Sequence, residues 1–344
     1  MIGLLLSWAG LGCTGQDPTV LQEQVLADLA SGFGSFQYAA FAVDSQVMAD
    51  ALRVACSTPS PETLESAQQA WWAARSPWKR AEVIRFGPTI EYPERFGPKL
   101  DDWPVNASAV DELLAADTPL NFEDMGTATR GLPVVEYLLW SEAPLVEGRP
   151  CETLEGAGED VADNAAALSA EWQQTWVPWL SDPFDNPGGP WVLSQNGVDE
   201  WVNRLAFSAE NVRATKLGKP AGDQNGGGLF LDGLESRYSA RSTQDARDAI
   251  DGVALVWSGL DGALGVRDLL VDDPALVSQL DTLMAQCQQD AAALPEDLEG
   301  ALVENDRDTL ETAQACLLEL QVAIQVDLAQ ALGVSIAFND NDGD

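Results

Sequence analysis

The chain has 344 residues, of which 55 are acidic and 18 are basic, and its formal net charge is −37. A chain of this length can form two domains with sizeable cores. Its charge excludes nucleic acid and anionic lipid as partners and favours cations or basic proteins, although solubility or adaptation to salt is the simpler explanation. The chain contains no histidine, which excludes a Ser-His-Asp triad, a zinc site with His ligands and haem held through His.

Residues 1–12 form an apolar run that is too short to span a bilayer as a stable helix. The run ends at Cys13, and the small Gly12 before it resembles the cleavage site of bacterial lipoproteins, although the usual basic residues at the start are missing. We predict that residues 1–13 are a signal peptide with the lipoprotein cysteine. The protein would then contact the membrane by its lipid anchor only, and an ordinary secretory leader is the alternative.

The periodicity of apolar residues is helical almost throughout the chain. The stripe of a long first helix, which Gly32 and Gly34 could bend, consists of Val25, Leu29, Phe33, Phe36, Ala40, Val43 and Val47. The next helix begins at a Ser60 N-cap followed by Pro61 and carries Trp71, Trp72 and Trp78. Two later stripes are Val161, Ala165, Leu168, Trp172, Trp176, Trp179 and Ala313, Leu317, Leu320, Ile324, Leu328, Leu332. We find no alternating strand pattern, and the sequence predicts an all-α fold.

Two segments are rich in Pro and Gly, Ser181 to Pro190 and Gly218 to Gly233. The first is the better candidate for a domain boundary. Each side of it carries enough amphipathic helix for a bundle of its own. We therefore predict an N-terminal helical bundle over residues 20–181 and a C-terminal helical bundle over residues 191–344.

Apart from Cys13, the chain has an even number of cysteines, which suits an oxidising compartment. They are Cys56, Cys151, Cys287 and Cys316. Cys287 and Cys316 flank a turn near Pro295 on two helical patterns, so an antiparallel hairpin would pair them and leave Cys56 for Cys151. None has the Cys-x-x-Cys spacing of a zinc or redox site.

The run from Arg130 to Trp140 reads Arg-Gly-Leu-Pro-Val-Val-Glu-Tyr-Leu-Leu-Trp. It resembles the signature of the imelysin family, in which a His and a Glu are the proposed metal-binding or catalytic pair. Pro133 stands at the position of the His, and Glu136 at that of the Glu. Residues 70–75, 85–88, 102–106 and 235–239 resemble other segments of the family in the same order. The resemblance implies two packed bundles of four-helix-bundle type, with a site near the loops between them.

The resemblance also suggests which carboxylates carry the site. Pro133 fits the first turn of a helix, and Glu136 would then lie one turn inside, where the helix dipole alone could explain a carboxylate. The alternative is a metal or ligand pocket formed by Glu82, Arg85, Asp102, Pro133 and Glu136. Such an oxygen-only cluster would suit a hard cation such as Ca²⁺ or ferric iron, whereas Arg85 is the simpler neutralising partner.

Two functional hypotheses follow from these residues and the resemblance. The first is a non-catalytic binding lipoprotein of the cell envelope, located in the periplasm or on the outer membrane. It would be linked to the acquisition of iron, haem or another cation, and its partners would be a metal ion or iron-uptake envelope proteins. The second is a metallopeptidase of the imelysin (M75) type with an altered, histidine-free metal site and Glu136 as general base. The missing His favours the first, because a pocket is enough for a binding protein.

Overall fold

The computed structural model describes residues 18–141 and 148–337, and every element of regular structure in these ranges is helical. The prediction of an all-α fold is confirmed. The predicted signal peptide with Cys13 and the acidic C-terminal residues 338–344 lie outside the described residues.

The first part of the chain contributes eight α-helices. They are α1 (Pro18–Ala27), α2 (Ser35–Ser57), α3 (Pro61–Arg80), α4 (Phe96–Leu100), α5 (Ala107–Ala115), α6 (Leu132–Trp140), α7 (Arg149–Glu171) and α8 (Val177–Ser181). Two π-helical segments, Asp28–Gly34 and Trp172–Trp176, join α1 to α2 and α7 to α8. Helices α2, α3, α6 and α7 pack on one another as the first bundle.

The second part contributes seven α-helices. They are α9 (Ser194–Glu210), α10 (Lys219–Ala221), α11 (Ser242–Ser258), α12 (Pro274–Ala292), α13 (Leu298–Glu304), α14 (Asp308–Ala323) and α15 (Ala329–Leu332). Further π-helical segments, Asn211–Gly218 and Ile324–Leu328, continue α9 and α14. Helices α9, α11, α12 and α14 form the second bundle.

The two bundles share one hydrophobic core. Helix α3 of the first bundle packs along α11 of the second, and α1 lies against α9. Aromatic rings continue the contact, since Phe86 meets Trp172 of the first part and Trp201 of the second at centroid distances of 6.0 and 5.2 Å. The segment 181–190, predicted as a domain boundary, lies between α8 and α9, and the helices on its two sides share this core.

The first long helix differs from its predicted stripe because a π-helical turn interrupts it. Trp172 packs on Gly34, where a Cβ atom would lie 2.6 Å from the indole, and its Nε1 donates to the carbonyl of Ala30 over 2.9 Å. A π turn inserts one extra residue and rotates the helix face that follows. The prediction is correct up to Phe33 and wrong beyond it. The buried residues are then Tyr38, Phe41, Met48 and Leu52, while Phe36, Val43 and Val47 are exposed.

Other local predictions are confirmed. Ser60 caps α3, with its hydroxyl accepting from the amide of Thr63, and Pro61 is the first helical residue. The stripe on α14 is buried from Ala313 to Leu328. This helix, Asp308–Leu332 with its continuation, is long and apolar enough to cross a membrane, but its stripe lies in the core of the second bundle. Of the three tryptophans on α3, Trp71 and Trp78 are buried and Trp72 is 37% exposed.

Both predicted disulfides are present. Cys56 at the end of α2 bonds to Cys151 in the first turn of α7, with a Cα–Cα distance of 5.6 Å. Cys287 on α12 bonds to Cys316 on α14, with a Cα–Cα distance of 5.4 Å. Each bond therefore fastens two helices of the same bundle.

Candidate functional site

The signature segment turns sharply into α6 and is held there by packing. Gly131 has a φ of +82°, and a Cβ atom on it would lie 2.6 Å from the carbonyl oxygen of Leu100, so only glycine fits. Arg130 is buried and its guanidinium forms a two-point contact with Asp160. The indole of Trp71 donates to the carbonyl of Leu132 over 3.0 Å. Pro133 accordingly lies in the first turn of α6, as the sequence predicts.

Glu136 lies one turn inside α6 and is 4% exposed. Its Oε1 accepts two hydrogen bonds from Ser239, at 2.8 Å from the backbone amide and 2.7 Å from the hydroxyl. Glu136 therefore binds the loop before α11 of the second bundle. Burial raises the pKa of Glu136 to about 7, against the opposing effect of the Ser239 hydrogen bonds and of Arg75.

Pro133 and Glu136 line a cavity of about 480 Å³ between the two bundles. Its other walls include Trp103 and the segment from Leu234 to Tyr238. Four carboxylates line it, namely Asp101, Glu136, Asp232 and Glu235. Of these, Glu136 alone has no basic side chain within ion-pair distance in the part of the chain that the structure describes. We call this space the Glu136 cavity.

The remaining predicted residues line a second, neighbouring cavity of about 280 Å³, which we call the Arg85 cavity. Glu82 reaches Lys216 over 2.8 Å, Asp102 accepts a hydrogen bond from Thr127, and the Arg85 guanidinium lies 5.3 Å from the ring centroid of Phe207. Asp101 and Trp103 line both cavities. The structure thus distributes the five predicted residues over two cavities, and Arg85 neutralises none of the predicted carboxylates.

Charged side chains buried behind the Glu136 cavity form an extensive ionic network. Its members are the bases Arg75, Lys79, Lys216 and Arg241 and the acids Asp101, Glu235, Asp245 and Asp248. We call these eight side chains the buried network. Each is at most 3% exposed. Four positive charges thus face four negative ones.

Helix α3 supplies the central cations of this network. Arg75 contacts Asp101 and Asp245, each over 2.6 Å, and Glu235 over 3.1 Å. Lys79, one turn further along, contacts Asp101 over 2.6 Å and also Glu235. Since Glu235 and Asp245 belong to the second part of the chain, the network joins the two bundles through charge.

The charges of the network hold one another in their ionised forms. Burial by itself would raise the pKa of Glu235, but Lys216, Lys79 and Arg75 outweigh it and lower that pKa well below the usual range. Burial likewise opposes the charge of Lys79, yet Asp101 and Glu235 raise its pKa. The desolvation free energy of a buried charge is offset only when the charge is paired in this way.

Sequence reasoning missed this network and chose Asp102 in place of its neighbour Asp101. One signal was present, because Arg75 and Lys79 lie on the same face of α3 as the apolar residues Trp71 and Trp78. A basic residue on a buried helix face requires a carboxylate partner from elsewhere in the chain. The identity of those partners depends on long-range packing, which the spacing of residues does not reveal.

A metal ion of the kind expected for the signature does not fit the carboxylates of this site. Asp101, Glu235 and Asp245 are each engaged by basic side chains. Among the described residues, no group of three or more Asp, Glu or Cys side chains is placed to hold a metal ion. Glu136 offers one oxygen beyond the one bound by Ser239, whereas Ca²⁺ takes about six to eight oxygen ligands.

Comparison with known proteins agrees with this architecture. The model of the Imelysin family (peptidase M75) matches residues 35–324. Iron-regulated protein A of Synechococcus elongatus is 26% identical over 318 residues, which cover 84% of this chain and 83% of that protein. Two solved structures share the fold. An imelysin-like protein from Psychrobacter arcticum has a TM-score of 0.79 at 19% identity, covering 93% of this chain and 98% of the other.

The second structure is a putative iron-regulated protein A precursor from Parabacteroides distasonis. It has a TM-score of 0.76 at 18% identity and covers 93% of this chain and 96% of the other. The family model spans the signature segment, both bundles and the loop that binds Glu136. The chain belongs to the imelysin family.

Proposed function

We propose that this protein is a non-catalytic binding protein of the bacterial cell envelope that takes part in iron or other cation acquisition. The observation that supports this function best is the lack of an ion pair at Glu136 in the Glu136 cavity. Glu136 is its one carboxylate without a basic partner in the described part of the chain. A cationic ligand or a strong hydrogen-bond donor would find there a buried acceptor that no basic side chain of the described residues contacts at ion-pair distance.

The ligand we propose for this cavity is a hard cation that brings most of its own ligands, such as a ferric complex with an organic chelator. A bare ion would need several protein oxygens, and the buried network leaves none free. A complexed ion needs only one oxygen from Glu136 together with hydrogen bonds from the cavity wall. The name of the Synechococcus relative, iron-regulated protein A, supports iron as the metal.

The envelope location is proposed on three grounds. Residues 1–13 carry the lipoprotein pattern ending at Cys13, and the Parabacteroides relative is described as a precursor. The two disulfides, Cys56–Cys151 and Cys287–Cys316, suit an oxidising compartment. We accordingly propose that the protein is anchored by lipid at Cys13 and works with iron-uptake proteins of the same envelope.

Calorimetric titration tests this function directly. Protein carrying Cys13→Ser, so that no lipid is attached, is titrated with ferric nitrilotriacetate, whose chelator balances the charge of the ferric ion and leaves coordination positions open, and separately with Ca²⁺. We expect saturable binding of ferric nitrilotriacetate that Glu136→Gln abolishes. The matched control is Asp102→Asn, which removes a carboxylate from the neighbouring Arg85 cavity and should leave binding unchanged. If Glu136→Gln binds ferric nitrilotriacetate as the unsubstituted protein does, the proposed role of Glu136 is refuted.

The second candidate, a metallopeptidase, is favoured by one observation. The pKa of Glu136, raised to about 7 by burial, lies where a general base works best at neutral pH. Against it, no group of side chains among the described residues is placed to hold a metal ion. Hydrolysis of a peptide library with added Zn²⁺ or Ca²⁺, lost in Glu136→Gln, would establish the peptidase. We expect no hydrolysis by the native chain.

A further inference from the structure

We propose that the Arg85 cavity is a separate binding site for a small organic anion with an apolar body. Its carboxylate would lie between Arg85 and Lys219, and its apolar part would lie against the aromatic wall of the cavity. This site is distinct from the Glu136 cavity, and the inference does not depend on the function proposed for that cavity.

The first support is the pairing of basic residues across the molecule. Of the 18 basic side chains, most form an ion pair with an Asp or Glu. Within the described ranges, the basic residues with no carboxylate in ion-pair distance are Arg85, Arg95, Lys99, Arg213, Lys219 and Arg307. In a chain with 55 acidic residues, a cation without an acidic partner is the exception. Two of these exceptions, Arg85 and Lys219, line the same cavity.

The second support is the charge balance inside the cavity. Three carboxylates line it, but Asp101 is neutralised by Arg75 and Lys79, and Glu82 lies 2.8 Å from Lys216. Asp102 is the lining carboxylate without a basic partner, since its described contact is the hydroxyl of Thr127. Arg85 and Lys219, which lie over the rings of Phe207 and Phe230 and form no ion pair with a described residue, exceed this one unpaired carboxylate by a single positive charge. The surplus favours a monoanion.

The third support is the chemistry of the walls. The indole rings of Trp78 and Trp103 line the cavity together with Ile84, Ile90 and Pro98. Trp78 is held in place by its indole N–H, which donates to Asp101 over 2.7 Å. Ligand sites typically combine such apolar and aromatic walls with a few polar groups that fix orientation. An inorganic anion would use the cations and leave the aromatic wall unused, so an organic anion fits better.

The strongly negative charge of the protein explains why an anion site would need cations without acidic partners. A net charge of −37 repels anions from most of the molecule, so a site for an anion requires locally unpaired cations. Both side chains can reach solvent, since Arg85 is exposed and Lys219 is half-buried. The carboxylate of a ligand would therefore bind near the mouth of the cavity, with its apolar part inward.

Three probes of matched shape test the proposal by calorimetry: phenylacetate, 2-phenylethanol and 2-phenylethylamine. We expect phenylacetate to bind saturably, the neutral alcohol to bind about tenfold or more weakly, and the amine not to bind. The affinity for phenylacetate should fall as salt is added, because salt screens the charge contact. Tighter binding of the amine than of the carboxylate, or no binding of phenylacetate at millimolar concentration, would overturn the proposal.

Substitutions then locate the site. The double variant Arg85→Gln/Lys219→Gln should lose phenylacetate binding by about tenfold or more, since each removes a charged hydrogen bond. The matched control is Arg213→Gln/Lys99→Gln, which removes two other cations without ion pairs that do not line this cavity. Neither pair of residues takes part in the ion pairs that join the bundles, so both variants should fold. Equal affinity in the double variant and in its control would show that the carboxylate binds elsewhere.

Discussion

Removing the charge of Glu235 should destabilise the protein by about 3 to 5 kcal/mol, the usual cost of breaking a buried ion pair on one side. In Glu235→Gln, Arg75 keeps its contacts with Asp101 and Asp245, and Lys79 keeps Asp101. Lys216 loses the most. Its remaining partner is Glu82 over 2.8 Å, whose side chain is 20% exposed. Most of the cost therefore arises from one poorly compensated ammonium group.

Urea denaturation followed by tryptophan fluorescence, with both disulfides intact, measures this loss. Glu296→Gln is the matched control, because Glu296 pairs with Arg247 over 2.7 Å but is 80% exposed, and it should cost about 0 to 1 kcal/mol. Adding Lys216→Met to Glu235→Gln should recover part of the loss, since it removes the orphaned charge. A cost for Glu235→Gln as small as that of the control would refute the description of the network as buried and mutually dependent.

Three further outcomes are expected. Burial raises the pKa of Glu136 from 4.5 to about 7, so ionisation of Glu136 destabilises the folded state as pH rises. Between pH 5 and 8, the unfolding free energy of the native chain should fall by about 2 to 3 kcal/mol relative to that of Glu136→Gln. A difference between the two proteins that stays constant with pH would contradict this. Gly131→Ala should lower the unfolding free energy by about 1 to 3 kcal/mol, because its φ is +82° and its Cβ would meet the carbonyl of Leu100; an unchanged urea midpoint would exclude that strain. A disulfide that closes a longer loop removes more entropy from the unfolded chain. Cys151→Ser, which opens a loop of 95 residues, should therefore lower the unfolding free energy by about 4.7 kcal/mol, and Cys316→Ser, which opens a loop of 29 residues, by about 3.6 kcal/mol. The reverse order in thermal or urea unfolding would show that loop entropy does not set the ranking.

Local features of this fold are predictable from the sequence because they depend on neighbouring residues. The Ser60 cap, the α14 stripe and the Cys287–Cys316 hairpin each follow from spacing along the chain. The stripe of α2 fails after Phe33 because the π turn depends on Trp172, which is distant in sequence and close in space. No periodicity within the helix itself carries that information.

The site shows the same limit. Pro133 and Glu136 line one cavity because both belong to the single helix that the signature segment forms. The segment does not reveal that Ser239 binds Glu136, or that Asp101 and not Asp102 enters the buried network. These partners come from separate loops, and their approach depends on how two bundles dock.

The buried network also leaves a net charge inside each bundle when that bundle is considered alone. On the side of the first bundle, Arg75 and Lys79 face Asp101, which leaves one positive charge uncompensated. The opposite side contains Lys216 and Arg241 with three carboxylates, which leaves one negative charge. Neither disulfide crosses between the bundles. The two bundles therefore neutralise each other when they pack together. A chimera that combines bundles from two relatives would need opposite surplus charges at the buried surfaces where its bundles meet.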